Sequence, residues 1–545
     1  MRTKPWLAAY GDIPATIDAD DCPSVTNLME TAMRTYAAQP AIRAFGQTLT
    51  YADIDRLSRN FAAYLQQRIG VRKGDRVAVM VPNLAAFPIA FLGIIRAGAI
   101  QVNVNPLYTA HELAHQLNDA GVDTIVVYSG STGVVAEVLD DVPLRHVVTV
   151  DPGDGLGAAL PSPPVDPRLS SAVGFAAALE AGATLPFEPV ESSRDDLLFL
   201  QYTGCTTGVS KGAALTHRNL VANTEQFKAM MAPLLRPGQE TVVTALPLYH
   251  VFALMVNLIT YFSLGAENWL VANPRDTAGL IDVIAQSRMT CFTGVNTLYA
   301  ALVAHPALEN VDFSNLRISA GGGSAILPST SARWKAITGT FIREGYGLSE
   351  TSPVVSFNPY FTNEFNGSVG LPVPSTDVRL LTDDGRDAGI GESGEICVKG
   401  PQVCRGYWNQ PDATRASFTD DGYFRTGDIG VFDERGLLRI VDRLKDMIIV
   451  SGFNVYPNEV EAAASAYADI AECACVGVPS EKTGEAVKLF VVKRRDAAVT
   501  GDDVIAHCRQ ALAAYKVPRE VVFVDELPKS TVGKILRRAL RHRDT

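Results

Sequence analysis

LLFLQYTGCTTGVSKGAALTHRN, residues 197–219, places a loop rich in glycine and threonine and then a lysine after an unbroken apolar segment. Residues 197–200 carry no polar side chain, the pattern of a strand buried on both faces. Residues 203–211 then supply backbone N–H groups, hydroxyls and one cation, the donors that a polyphosphate requires. Gly204 and Gly208 let the backbone approach phosphate, Thr203, Thr206 and Thr207 donate hydrogen bonds, and Lys211 adds a point charge. The stretch is expected to run from strand through loop and lysine into a helix. Its spacing is not that of a Walker A loop, in which lysine follows the second glycine directly and precedes Ser or Thr. Here Lys211 stands three residues beyond Gly208 and precedes Gly212, which argues against an ordinary P-loop NTPase. Taken alone, the glycines would equally suit a plain turn.

The ordered combination is more specific, and it closely resembles the phosphate loop of the adenylate-forming superfamily of acyl-CoA synthetases, luciferases and peptide-synthetase adenylation domains. THRN, residues 216–219, resembles the bacterial long-chain fatty acyl-CoA ligases within it. One departure is Cys205, where relatives carry a small residue such as serine or glycine. It reads either as a tolerated substitution or as a thiol activated by the loop donors and shielded by MgATP.

Working outward, 545 residues exceed what one hydrophobic core supports, so two or more domains are expected, and 47% apolar content makes them globular. The net charge of −11 lies entirely before residue 446, because residues 446–545 hold 14 acidic and 14 basic side chains. Bulk nucleic-acid binding is therefore not expected. None of the eight cysteines forms a CxxC pair, and Cys473 and Cys475 have no nearby histidine to complete a zinc site, so reduced cytoplasmic thiols are expected. The first residues lack the long apolar stretch of a signal peptide. Residues 77–95 and 241–266 are apolar enough to suggest membrane spans, but Pro82 and Pro88 interrupt the first and Pro247, His250 and Asn257 the second, so both are read as interior.

In chain order, residues 48–67 read as a strand end and a helix with Ile54, Leu57, Phe61 and Leu65 on one face, followed by strand, helix, glycine stop and strand to residue 109. The alternation is α/β. Residues 129–195 loosen into surface loops marked by PGDG and PSPPVDP, with too few cations for a basic docking helix. LPLYHVF, residues 246–252, opens an apolar helix and contains His250, which could be a satisfied core histidine. LRISAGGGSAI, residues 316–326, brings Gly322, Gly323 and Ser324, bare backbone on which a flat adenine or an acyl chain can pack. REGYGLSETSP, residues 343–353, brings Tyr346, Gly347, Ser349 and Glu350: an aromatic face, a hydroxyl and an oxygen ligand suited to magnesium. Asp428 lies in a glycine turn and could accept ribose hydroxyls. DRLKD, residues 442–446, could be no more than a solvated turn, and the six cations of residues 529–543 could be an anion-binding tail.

The resemblance covers essentially the whole chain and assigns roles to these positions. It implies an α/β fold with a large N-terminal AMP- and acyl-binding domain (residues 1–444) that ends in a small β-barrel. A small mobile α/β domain (residues 445–545) follows. It implies an AMP-forming ligase that uses ATP, CoA and Mg2+ to activate a long-chain fatty acid. Medium-chain or aryl acids, or transfer to a carrier protein, are the neighbouring readings, and a catalytically silent sensor is the one outside the class. In the resemblance Lys534 is the catalytic lysine, Glu350 holds magnesium, His250 positions the acyl carboxylate, Asp428 holds ribose and Arg443 reaches ribose or phosphate. Lys445 is the hinge and Gly452 lines the pantetheine tunnel. A cytoplasmic location is implied, and the resemblance leaves room for peripheral contact with the inner membrane face and for a homodimer.

Overall fold

The computed structural model describes residues 4–203, 210–451, 453–480, 482–495, 497–530 and 533–541. RVAVM, residues 76–80, is buried at every position after the first, and such a strand needs cover on both faces. It lies inside a seven-stranded sheet in the order Val173–Gly174, His146–Val150, Thr124–Tyr128, Arg76–Met80, Ile100–Asn103, Leu197–Thr203, Lys211–Thr216, parallel up to its last, antiparallel pair. The helix Tyr51–Tyr64 begins at a capping box between Thr50 and Asp53 and buries Ile54, Leu57 and Phe61. Ala86–Arg96 is buried along its whole length and is followed by Gly98 at φ 74°.

A nine-stranded sheet is ordered Leu371–Pro372, Val354–Phe357, Ile342–Gly347, Ile318–Gly321, Cys291–Gly294, Thr241–Thr244, Glu267–Leu270, Pro40–Ala44, Gln47–Thr50. Its six strands from Ile342–Gly347 to Pro40–Ala44 run parallel. Where a small β-barrel was expected, the described residues form a four-stranded antiparallel sheet, Asp377–Leu381, Gly394–Lys399, Phe424–Phe432 and Leu438–Arg443, whose first and last strands do not pair. Residues 448–523 form a fourth sheet of their own, covered by the helices Pro457–Ser465 and Gly501–Ala511.

Both suspected spans are interior: strand, turn and helix for the first, and strand Thr241–Thr244 with the wide π-helical turns Ala253–Thr260 for the second. No described helix is long and apolar enough to cross a membrane. Two expectations need correction. Lys211 does not lead into a helix but opens the strand Lys211–Thr216, with Thr203 opposite Lys211, and the helix starts only at His217. The small apolar residues after Lys211 satisfy their backbone by pairing with the preceding strand. Residues 129–195 are also more ordered than their loops suggested, for His146–Val150 joins the first sheet and Phe175 packs on Phe61 at 4.8 Å.

Candidate active site

In parallel sheets, ligands gather at the carboxyl ends of the strands, where loops leave the backbone donors exposed. Four neighbouring strands of the second sheet deliver such loops to one rim: Thr241–Thr244 leads to His250, Cys291–Gly294 to Val295, Ile318–Gly321 to Gly322 and Gly323, and Ile342–Gly347 to Glu350. His250, Phe252, Val295, Gly323 and Lys534 line one cavity together with Leu246 and Pro247. The lysine thus arrives from the far end of the chain. Lys534 sits in a tight loop closed by the pairing of Lys529 with Ile535, and Ser530 both accepts from its N–H through Oγ (3.1 Å) and donates to its carbonyl (2.7 Å).

The loop of residues 245–250 is held by side chains that carried no sequence signal. Buried Asn83 donates to the carbonyls of Thr244 (3.0 Å) and Leu246 (2.9 Å) and accepts from the Leu248 N–H (2.8 Å). Gln201 donates to the Tyr249 carbonyl (3.2 Å) and, through Asn103, continues a buried amide chain to Gln101. The Phe252 N–H is donated to His250 Nδ1 at 3.3 Å, so a neutral ring carries its proton on Nε2. Burial, and then the Lys534 cation, push His250 down to about 3, which keeps the ring neutral at physiological pH.

Gly323 has φ 77° and an added Cβ would lie 3.4 Å from Lys534 Cε, so the lysine stem runs against bare backbone. Gly322 lies beside the Phe252 ring, and half-buried Ser324 follows on the same loop. Gly347 admits no side chain, since a Cβ would stand 1.8 Å from the Pro353 carbonyl oxygen. Ser349 and Glu350 share the short turn beyond it.

Asp428 and Arg443 face each other across two antiparallel strands, and Arg443 Nε is 3.1 Å from Asp428 Oδ1. Tyr346 Oη donates to Asp428 Oδ2 at 2.6 Å, so the ring is fixed by the carboxylate that the resemblance gives to ribose. Glu350 is buried, which raises its carboxyl above the usual range, and Tyr407 Oη donates to its Oε1 at 2.8 Å. Lys211 Nζ stands 5.2 Å from the centroid of that same Tyr407 ring. Burial, then Arg443, pull Lys534 down to about 8, while Asp428 and Glu350 act in the opposite sense.

The structure therefore brings Lys534, His250 and Gly323 together in one cavity, Tyr346, Asp428 and Arg443 into one cluster, and Lys211 and Glu350 onto one tyrosine. Thr203 and Lys211 pair at the neck of the phosphate hairpin. Gly204, Cys205, Thr206, Thr207 and Gly208 lie outside the described residues, as does Gly452. The seven described cysteines are all free, and no group of three or more His, Cys, Asp or Glu among the described residues could hold a metal unaided.

THRN has a structural meaning here. Thr216 and Asn219 form a reciprocal cap, Asn219 Nδ2 donates to the carbonyls of Pro401 (2.7 Å) and Val403 (3.0 Å), and His217 Nδ1 accepts from the Val25 N–H (3.2 Å).

Comparison with known proteins adds the following. Residues 29–408 match the AMP-binding enzyme family and residues 459–534 the AMP-binding enzyme C-terminal domain. The chain is 50% identical to a long-chain-fatty-acid–CoA ligase of Salmonella typhimurium over 550 aligned positions, covering 99% of this chain and 98% of that one. It is similar in structure to the anthranilate CoA ligase AuaEII in complex with anthranoyl-AMP, with a TM-score of 0.87, 25% identity and coverage of 96% and 98%. ATP-bound MatB from Rhodopseudomonas palustris gives 0.84 at 31% identity, covering 95% and 98%, whereas its apo form gives 0.74.

Proposed function

The chain belongs to the AMP-binding enzyme family, and from that premise we propose that it is an ATP-dependent long-chain fatty acid:CoA ligase. A carboxylate resists attack by a thiol, so the acid must first acquire a leaving group. Its oxygen attacks the α-phosphorus of ATP, the bond to pyrophosphate breaks, and an acyl-adenylate results. The CoA sulfur then attacks the acyl carbon, loses its proton, and expels AMP.

The observation that carries this reading is the convergence of a buried cation, Lys534, with His250 and Gly323 beside the Asp428–Arg443 pair. We assign Lys534 to the space between the attacking carboxylate and the α-phosphate, where a fixed cation stabilises the charge that develops in the transition state. Neutral His250, held through Nδ1, would donate from Nε2 to the acyl carboxylate and orient it. As a base it would be very weak. Asp428 would accept the ribose hydroxyls with Arg443 beside it, and the Tyr346 ring would cover adenine against Gly322, Gly323, Ser324 and Gly347. Ser349, Lys211 and the loop of Thr203, Gly204, Thr206, Thr207 and Gly208 would bind phosphate.

Glu350 would hold magnesium. A buried carboxylate that belongs to no group of three or more potential ligands among the described residues fits an ion that takes much of its coordination from outside the protein. Bound there, the ion would neutralise phosphate charge. The division at 444/445, rotation of the following domain about Lys445, and presentation of Gly452 to CoA in the second half-reaction belong to this same reading. So does a cytoplasmic location, where ATP and CoA are available.

The test is pyrophosphate release over acids of graded length, with and without CoA. At about 0.8 kcal/mol per buried methylene, six further carbons contribute roughly 5 kcal/mol to specificity. The rate constant kcat/KM should climb through the long-chain range, with turnover beyond one equivalent requiring CoA. A peak at aromatic or short acids would overturn the substrate class.

A further inference from the structure

Lys211 opens the last strand of the first sheet, and Glu350 lies on the short turn that follows a strand of the second. What joins them is residues 404–408. That segment lies along the outer edge of the strand Lys211–Thr216: the Ala214 N–H is donated to the Gly406 carbonyl (3.0 Å), Ala213 pairs with Tyr407, and the Trp408 N–H is donated to the Gly212 carbonyl (2.8 Å). The same segment grips Glu350 at both ends, through the Cys404 N–H on its carbonyl (2.7 Å) and the Tyr407 hydroxyl on its carboxylate (2.8 Å). The Tyr407 N–H is itself donated to Thr414 Oγ1 (2.9 Å), so the side chain leaves a backbone tied on both sides. Its ring face then carries the Lys211 ammonium at 5.2 Å.

We propose that Tyr407 is a positioning residue that uses its hydroxyl to orient the Glu350 carboxylate and its ring to seat the Lys211 ammonium, setting the distance between metal and phosphate cation before ATP arrives. The proposal rests on the reading of Glu350 as the magnesium carboxylate. A phenol suits the task. It has few rotatable bonds, its O–H donates to a carboxylate, and its face attracts a cation without neutralising it. The two halves of the side chain are separable by mutation. Tyr407→Phe removes the hydroxyl and keeps the ring, whereas Tyr407→Leu removes both.

The experiment is calorimetric titration of the full-length, nucleotide-free protein with ATP, once in EDTA and once with saturating Mg2+, for the wild type, Tyr407→Phe, Tyr407→Leu and Glu350→Gln. With Tyr407→Phe, metal-free ATP should bind within about twofold of wild type, while the enhancement by Mg2+ falls about tenfold, the size expected for losing one hydrogen bond to a charged group. With Tyr407→Leu, metal-free ATP should also weaken, about three- to tenfold, because the cation loses its seat.

Full Mg2+ enhancement in Tyr407→Phe would overturn the proposal. So would equal losses of metal-free binding in both variants, which is what a purely structural tyrosine would produce. Glu350→Gln separates the two failures. If it leaves the enhancement intact, the metal assignment falls and this proposal with it. If it abolishes the enhancement while Tyr407→Phe does not diminish it, only the role of Tyr407 falls.

Discussion

Burial and the neighbouring Arg443 guanidinium bring the Lys534 ammonium down to about 8, within reach of ordinary assay conditions. Because kcat/KM reports the free enzyme, adenylation measured as kcat/KM for ATP should fall as pH rises through about 8, where the cation is lost. Lys534→Arg stays charged across that range, so its profile should lack the alkaline limb even if the rate is lower. An unchanged limb would place the titrating group elsewhere. Lys534→Ala should lose adenylation by orders of magnitude yet still convert supplied acyl-AMP and CoA to thioester, and equal loss in both steps would sink the assignment. His217 offers a stability test away from the chemistry. Burial, in spite of Asp196 and with Lys73, brings it down to about 4, and its Nδ1 must stay unprotonated to accept from Val25. The unfolded chain binds that proton more readily, so the stabilisation is complete above about pH 6.5 and is lost as pH falls through about 4. Wild type should lose on the order of 3 kcal/mol between pH 7.5 and 4 that His217→Gln does not lose, whereas parallel curves in denaturant titrations would refute it.

At the scale of elements, the phosphate hairpin and the π-helical turns show how local signals met tertiary demands. Residues 197–200 were legible because a strand covered on both faces leaves an unbroken apolar run, and the observed strand continues to Thr203. The second strand was not, because GAALT is short, and alanine and glycine carry little strand signal, so only its pairing partner decides its form. The turns Ala253–Thr260 stood out as apolar, but their π geometry is bound up with contacts to strands distant in sequence. Asn257 Nδ2 donates to Thr244 Oγ1 (2.9 Å), its Oδ1 accepts from Thr293 Oγ1 (2.9 Å), and its carbonyl accepts from Asn268 Nδ2 (2.9 Å). Asn257→Leu, of similar volume, leaves the buried Thr293 hydroxyl without its partner and should cost about 2–3 kcal/mol in unfolding free energy. Adding Thr293→Val should restore part of that loss, since replacing both partners removes the unsatisfied group. Wild-type stability in the single variant would mean that the network contributes nothing.

At the scale of the molecule, the last segment is docked against the N-terminal rim. Thr297 Oγ1 is 3.4 Å from the Gly533 carbonyl it donates to, and Gly323 lies against the lysine stem. Arg537 reaches across the turn at Lys445, bonding Asp442 (3.4 Å) on one side and Glu461 (2.8 Å) on the other. Arg541 donates to the Lys445 carbonyl itself (3.3 Å). If the domain turns about Lys445 between half-reactions, Lys445→Pro should restrict that backbone, so that adenylate forms and accumulates while thioester synthesis drops sharply. Unaltered thioester turnover in single-turnover assays would put the pivot elsewhere.

The amino-acid sequence by itself determined the α/β alternation and the interior nature of the two apolar stretches, and its motifs singled out Lys211, His250, Glu350, Asp428 and Lys534 as candidates. Hydrophobic period, proline placement and motif order are properties of neighbours along the chain. Only the tertiary structure decided that Asn83 and Gln201 hold the His250 loop and that Tyr407 stands between Lys211 and Glu350. Buried amides and a tyrosine in a GYW turn have no local pattern that marks them, because each acquires its role from partners 48 to 196 positions away in the sequence.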